Sequence, residues 1–202
     1  MVAERQIPAR SHYRNDGRGG VVVAQKPTAR PQNHSCFGRS AVRMIASIAR
    51  YEIRLAHWLA ASVGAPYKFG GRGPTGIDCS SLLMRAIRKS LRLTVAQLPW
   101  MTADQMARGR QGVTVQATEM VSAQRCLLAF FDWDEDGIHE HAAACLPDGS
   151  WIWASTSAGK VIRVDPRSTS IWDRQWREIE GALDGRRSTL RMVDWRALGA
   201  IR

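Results

Sequence analysis

The chain has 202 residues, 45% of them hydrophobic, and a formal net charge of +11. That length and apolar content suit one sizeable core, and no apolar run approaches the roughly 18 residues that a membrane span needs. Four cysteines, Cys36, Cys79, Cys126 and Cys145, stand far apart, which argues against a disulfide framework and for thiols used singly or kept reduced.

Residues 1–39 are rich in Arg, Gly, Pro, Gln and Asn, carry seven Lys/Arg against two acids and show no apolar period. They read as a basic, flexible N-terminal extension to a domain over residues 40–202. Their only apolar cluster, Val21 to Ala24, is too short for a secretory leader. From Ser40, a plausible N-cap, Ala41, Ile45, Ile48, Ala49, Ile53, Ala56, Leu59 and Ala60 recur at helical spacing, and Gly64 offers a stop.

A glycine-rich stretch, GAPYKFGGRGPTGID, leads into a second helical pattern over Cys79 to Leu91. Thr102-Ala103-Asp104-Gln105 fits a capping box that opens a short third helix. Beyond Gly112 the pattern becomes β, with strands expected over Cys126 to Asp132, His139 to Leu146, Trp151 to Ser155 and Lys160 to Asp165. Pro147 to Ser150 supplies turn chemistry between two of them. A final amphipathic helix is expected around Trp172, Trp176 and Ile179, ended by Gly181 and Gly185. Helices first, then an antiparallel sheet, then a closing helix make an α+β domain.

A cysteine in the first turn of a helix meets unsatisfied backbone N–H groups and the positive end of the helix dipole. Both favour the thiolate, and the same N–H groups suit an oxyanion. The spacing therefore predicts a lowered thiol pKa at Cys79. The glycines Gly70, Gly71, Gly73 and Gly76 would let an extended substrate pass without clash. Ordinary buried packing is the alternative for a lone cysteine at such a place.

The segment PYKFGGRGPTGIDCSSL resembles the signature of the NlpC family of papain-like cell-wall cysteine peptidases. That signature runs Pro-Tyr-x-x-Gly-Gly, a short loop, then Pro-x-Gly-x-Asp-Cys-Ser-Gly-Leu; Pro66, Tyr67, Gly70, Gly71, Pro74, Gly76, Asp78, Cys79, Ser80 and Leu82 match it. LPWMTADQ and HAAACLPDGSWIWASTSAGKVIRVD resemble the family's later segments, so the likeness covers about Ser40 to Asp165. It implies a papain-like NlpC-type domain, with N-terminal helices, the nucleophile helix among them, packed on a twisted antiparallel sheet.

The resemblance makes Cys79 the nucleophile and His141 the general base. Tyr67 falls where the family places a tyrosine beside the thiol, and the backbone N–H of Cys79, with Tyr67, forms the oxyanion-hole candidate. Asp78, Ser80, Gly70 and Gly71 line the peptide groove, and Trp100 is a substrate-contact candidate. The family's third polar residue falls on Trp153, whose indole only donates and cannot orient an imidazole as His does; neither His nor Asn follows His141. Three alternatives follow: a backbone carbonyl, Glu140 or His139 orients the base instead, the pair acts as a Cys–His dyad, or the site only binds.

The activity so implied is cleavage of an amide bond in the peptidoglycan stem peptide, of the γ-D-glutamyl–diamino acid type, with no cofactor and no metal. A phage tail or virion, a secretion machine or lysis would deliver the enzyme to the wall, and a phage-related wall hydrolase is the first expectation. The basic surface suits an anionic wall. The rival is an NlpC-fold module that binds wall peptides or serves as a structural part of a particle. A basic nucleic-acid binder using the N-terminal arm is a third reading, without a recognised motif among the Arg and Trp residues.

Two other groups stand out. Asp132-Trp-Asp-Glu-Asp-Gly137 resembles the opening of a calcium loop, but Ala143 stands where the closing Glu belongs and a strand follows, so a solvated acidic hairpin is expected. His139, His141 and Cys145 would share one side of a strand, yet three ligands on one strand rarely converge on a tetrahedral zinc.

Overall fold

In the computed structural model the described residues are 38–73, 75–117, 125–167, 179–180, 183 and 187–199. The expected extension, apart from Gly38 and Arg39, lies outside them, as do Cys36, Pro74 and nearly all of the expected closing helix.

The first helix, α1, runs Gly38–Ala60. It starts two residues before the expected boundary, so Ser40 is inside it and is not the cap. Gly64 takes φ +88°, a conformation that favours glycine, and its N–H donates to Val161 O at 2.8 Å. The glycine-rich stretch then forms a minimal hairpin, β1 (Arg72–Gly73) and β2 (Gly76–Ile77).

Helix α2 is Cys79–Leu91, the range read from the sequence. Asp78 caps it: its carboxylate accepts from Ser81 N at 2.6 Å and from Ser80 Oγ at 2.9 Å. Arg92 closes it in the left-handed region, and its N–H returns to the carbonyls of Arg88 and Lys89. Helix α3, Ala103–Ala107, opens with both bonds of the Thr102–Gln105 capping box.

The sheet contains β3 (Thr114–Gln116), β4 (Leu127–Phe131), β5 (His141–Cys145), β6 (Trp151–Ser155), β7 (Lys160–Val164) and β8 (Ser188–Val193). Its order is β3-β8-β4-β5-β6-β7, and every neighbouring pair is antiparallel. The α+β class is thus what the chain forms. Strands β3 and β8 were not expected.

The alternation of strand side chains gives the sheet two apolar faces. On one, Leu128, Phe130, Ala142, Ala144, Ile152 and Ala154 pack with Leu55 and Leu59 of α1 and with Leu82, Leu83 and Ile87 of α2. Each large aliphatic side chain buried there contributes about 1.5–3 kcal/mol. The small side chains of Ala142 and Ala144 let α2 lie against β5, which brings its first residue to the start of that strand. On the other face, Ala129, Phe131, Ala143, Trp151 and Trp153 cluster with Val164 and Ile179.

Glu52 ties α1 to the sheet. It is 1% exposed, and its carboxylate accepts from Arg125 Nε at 3.0 Å, Cys126 N at 2.8 Å and Trp195 Nε1 at 2.8 Å. Three donors repay the desolvation of one buried charge.

Candidate active site

A cavity of about 440 Å³ opens at the N-terminus of α2. Tyr67, Gly70, Asp78, Cys79, Ser80 and Trp100 border it, together with Arg72 and Phe69 from the glycine-rich segment. His139 and Glu140 form part of the wall, where the chain approaches β5. Six of the eight residues expected to be catalytic or to contact substrate, all but His141 and Gly71, therefore meet in one place.

Gly71 does not border the cavity; it is buried in the turn that shapes it. A Cβ there would stand 2.5 Å from Gly76 O, and one on Gly76 would stand 2.6 Å from Lys68 Cβ. These two glycines are required by close chain packing within the hairpin. Gly70 takes φ +68° at the rim.

Cys79 is 8% exposed, and its Sγ lies 3.7 Å from the Glu140 carbonyl oxygen. Burial, followed by the negative charge of Asp78, pushes the thiol up to about 11. The backbone N–H groups of Ala142, Ser80 and Cys79 pull the other way. The lowered value expected from a helix N-terminus is thus reversed, because the sulfur is desolvated and shares its helix start with a carboxylate. Ionisation here needs a base.

His141 opens β5 opposite Phe131. Its ring centroid is 6.0 Å from those of both Phe131 and Trp133, on the side of the sheet that carries Phe131, Ala143 and Trp153. It does not border the cavity. Trp153, at the expected third position, is fully buried on that same side and pairs with Ala143.

His139 goes elsewhere, contrary to the expectation that it shares a side with His141. The ladder begins only at His141, so strand alternation does not extend back to residue 139. Its Nδ1 lies 3.3 Å from Asp104 Oδ1 and its Nε2 2.8 Å from Thr189 Oγ1. A carboxylate only accepts, so Nδ1 carries a proton in this pair. Asp104 also pairs with Arg108 Nε at 2.8 Å, and Arg108 Nη2 donates to Gly137 O at 2.6 Å. This network, which the sequence reading missed, clamps the segment leading into β5.

The acidic turn folds on itself: Asp132 accepts from Asp136 N at 3.1 Å and Gly137 N at 2.8 Å. Carboxylate oxygens of Asp132, Asp134, Asp136 and Glu140 come within 4.8 Å of one another.

Residues 64–180 match the model of the NlpC/P60 family. The chain belongs to the NlpC/P60 family. Its α+β architecture is accordingly papain-like, with Cys79 at a helix start and His141 at the head of a sheet strand. Solved structures similar to this NlpC/P60 chain include the peptidoglycan hydrolase RipB from Mycobacterium tuberculosis, at 25% identity and TM-score 0.44, covering 59% of this chain and 60% of that one. NlpC1 from Trichomonas vaginalis is 24% identical at TM-score 0.44, covering 57% of this chain and 39% of that one. An NlpC/P60 family protein from Bacillus cereus is 23% identical at TM-score 0.44, covering 56% and 34%. The chain spans less than two thirds of the length of each of these three. No curated protein matches it.

Proposed function

We propose that this NlpC/P60 chain is a cysteine hydrolase of amide bonds in peptidoglycan stem peptides, cutting between D-glutamate and a diamino acid. The observation that carries the reading is Cys79 at the first turn of α2, its sulfur facing a cavity and flanked by the backbone N–H groups of Ala142, Ser80 and Cys79. In a member of this family, that is where an acyl-transferring thiolate belongs.

His141 supplies the base in this reading. Its Cα follows directly on the Glu140 carbonyl that touches Sγ. Fixed peptide geometry then keeps that Cα within about 6.5 Å of the sulfur. The thiol proton passes to the ring, the thiolate attacks the carbonyl carbon, and the oxyanion is held by the Cys79 N–H and Tyr67. Collapse breaks the C–N bond, the amine leaves with the imidazolium proton, and water hydrolyses the thioester. The basic chain would be held at an anionic wall after delivery by a particle, by secretion or by lysis.

A second reading has its own support. The raised thiol pKa, the His141 ring stacked on the Phe131 side and Trp153 at the third position all suit a module that binds wall peptides without cleaving them. Incubation with purified peptidoglycan separates the two. The hydrolase releases new amino termini, and Cys79→Ala stops the release while retaining binding. Undiminished release by Cys79→Ala sinks the cysteine mechanism; binding with no release by the wild type favours the module.

A further inference from the structure

The wall of the Cys79 cavity includes two residues, Arg72 and Trp100, that form a cationic stack with a third. The Arg72 guanidinium lies 5.5 Å from the Trp100 ring centroid, and the Arg88 guanidinium lies 3.5 Å from it. Arg72 is exposed at the cavity, whereas Arg88, on α2, is 5% exposed. Arg88 Nη1 donates to Leu98 O at 2.7 Å, but Arg88 Nη2 has no hydrogen-bond partner among the described residues. Among those residues neither guanidinium forms an ion pair. Burial, and then the charge of Arg72, lowers the Arg88 pKa, as expected for neighbouring cations without a counter-charge.

An indole face attracts a cation without neutralising it. Nor do the two acids of the cavity supply the missing charge. Asp78 is committed to capping α2, and the Glu140 carboxylate accepts from Trp133 N at 3.0 Å. The edge at Trp100 is therefore cationic, partly dry and uncompensated, whereas the thiol end of the cavity is already occupied by Asp78. A ligand that brings a carboxylate to this edge relieves the repulsion and meets a planar fork matched to two oxygens.

We infer that Arg72, braced by Trp100 and Arg88, is a specificity-determining residue that takes a carboxylate of the substrate inside the Cys79 cavity. The inference rests on the hydrolase reading for the identity of the peptide, and it deepens that reading by naming the group that selects it. It separates stem peptides with a free D-glutamate α-carboxylate from those with a carboxamide there.

The test uses two synthetic stem peptides, identical except for that carboxylate or carboxamide, titrated calorimetrically into the full-length Cys79→Ala protein. The acid is expected to bind about tenfold more tightly, the scale of a charge-assisted pair at a partly exposed site. Adding Arg72→Gln should remove that preference by weakening the acid alone, and Arg72→Lys should keep part of it. Equal affinities, no measurable binding of the acid, or a preference that survives Arg72→Gln would each overturn the inference. Hydrolysis by the wild type is scored separately. Cleavage of neither peptide counts against the hydrolase reading whatever the binding ratio, while cleavage without a binding preference counts only against Arg72.

Discussion

The Glu140 carbonyl oxygen stands 3.7 Å from the Cys79 sulfur, so a strand entry and a helix start are fixed against each other at the reacting atom. A carbonyl accepts from a thiol and repels a thiolate. Burial and then the charge of Asp78 push the thiol pKa up and favour the protonated form at rest.

Alkylation of Cys79 by iodoacetamide should therefore rise about tenfold for each pH unit between about pH 6 and 9, without a plateau, as the thiolate fraction grows. Asp78→Asn preserves a capping side chain and removes a charge, so it should speed alkylation at every pH in that range. Peptide mass spectrometry over time reads both. A plateau below about pH 7 would show an activated thiol and sink this account. The folded thiol titrates near 11 and the unfolded one near 9.0, so unfolding becomes easier as the pH rises between those values.

Glu52→Ala should cost about 3–5 kcal/mol, because it leaves the buried Cys126 and Trp195 donors and the part-buried Arg125 without their acceptor. Glu52→Gln retains one carbonyl oxygen and should cost less. Urea unfolding of both variants measures the difference, and a loss under about 1 kcal/mol for the alanine would refute the tie between α1 and the sheet.

Ala144→Leu places extra methyl groups where α2 rests on β5. A penalty of about 1–3 kcal/mol is expected, with a loss of peptidoglycan cleavage larger than the loss of folded protein, since α2 carries Cys79. Unchanged turnover would mean that the helix start tolerates displacement.

Asp104 is held below the ordinary carboxylate range, first by its bond from Arg108 and then by those from His139. A carboxyl depressed in the folded state stabilises it above the unfolded value, near 3.8, and that support is lost as pH falls through the folded value. Wild type should thus exceed Asp104→Asn in stability near neutral pH, and the gap should close in acid. Denaturation midpoints between about pH 3 and 7 provide the check. A gap that widens on acidification would reverse the sign.

Local chemistry was legible along the chain. The helical pattern from Cys79, the Thr102–Gln105 pair and the apolar run at Trp151 each depend on neighbours within a few residues, and the structure keeps their boundaries. Strand β8 was hidden because it does not alternate cleanly: Arg191 lies in its middle, and its side chain reaches Thr114 Oγ1 at 2.8 Å. Strand β3, three residues long, has too few positions to show a period. The cavity residues came from a motif, yet the thiol's raised pKa did not, since desolvation depends on what folds over the sulfur. Arg72 and Arg88 escaped notice for a similar reason: only packing against one indole makes two arginines a site.

The strand order also has a temporal consequence. Strand β8, the last strand among the described residues, lies inside the sheet between β3 and β4, and it carries the Thr189 hydroxyl that meets His139. A nascent chain halted before residue 187 would leave β3 and β4 without the strand that joins them and lack part of the clamp that sets β5. The segment leading into β5 is thereby fully held only once translation has passed β8.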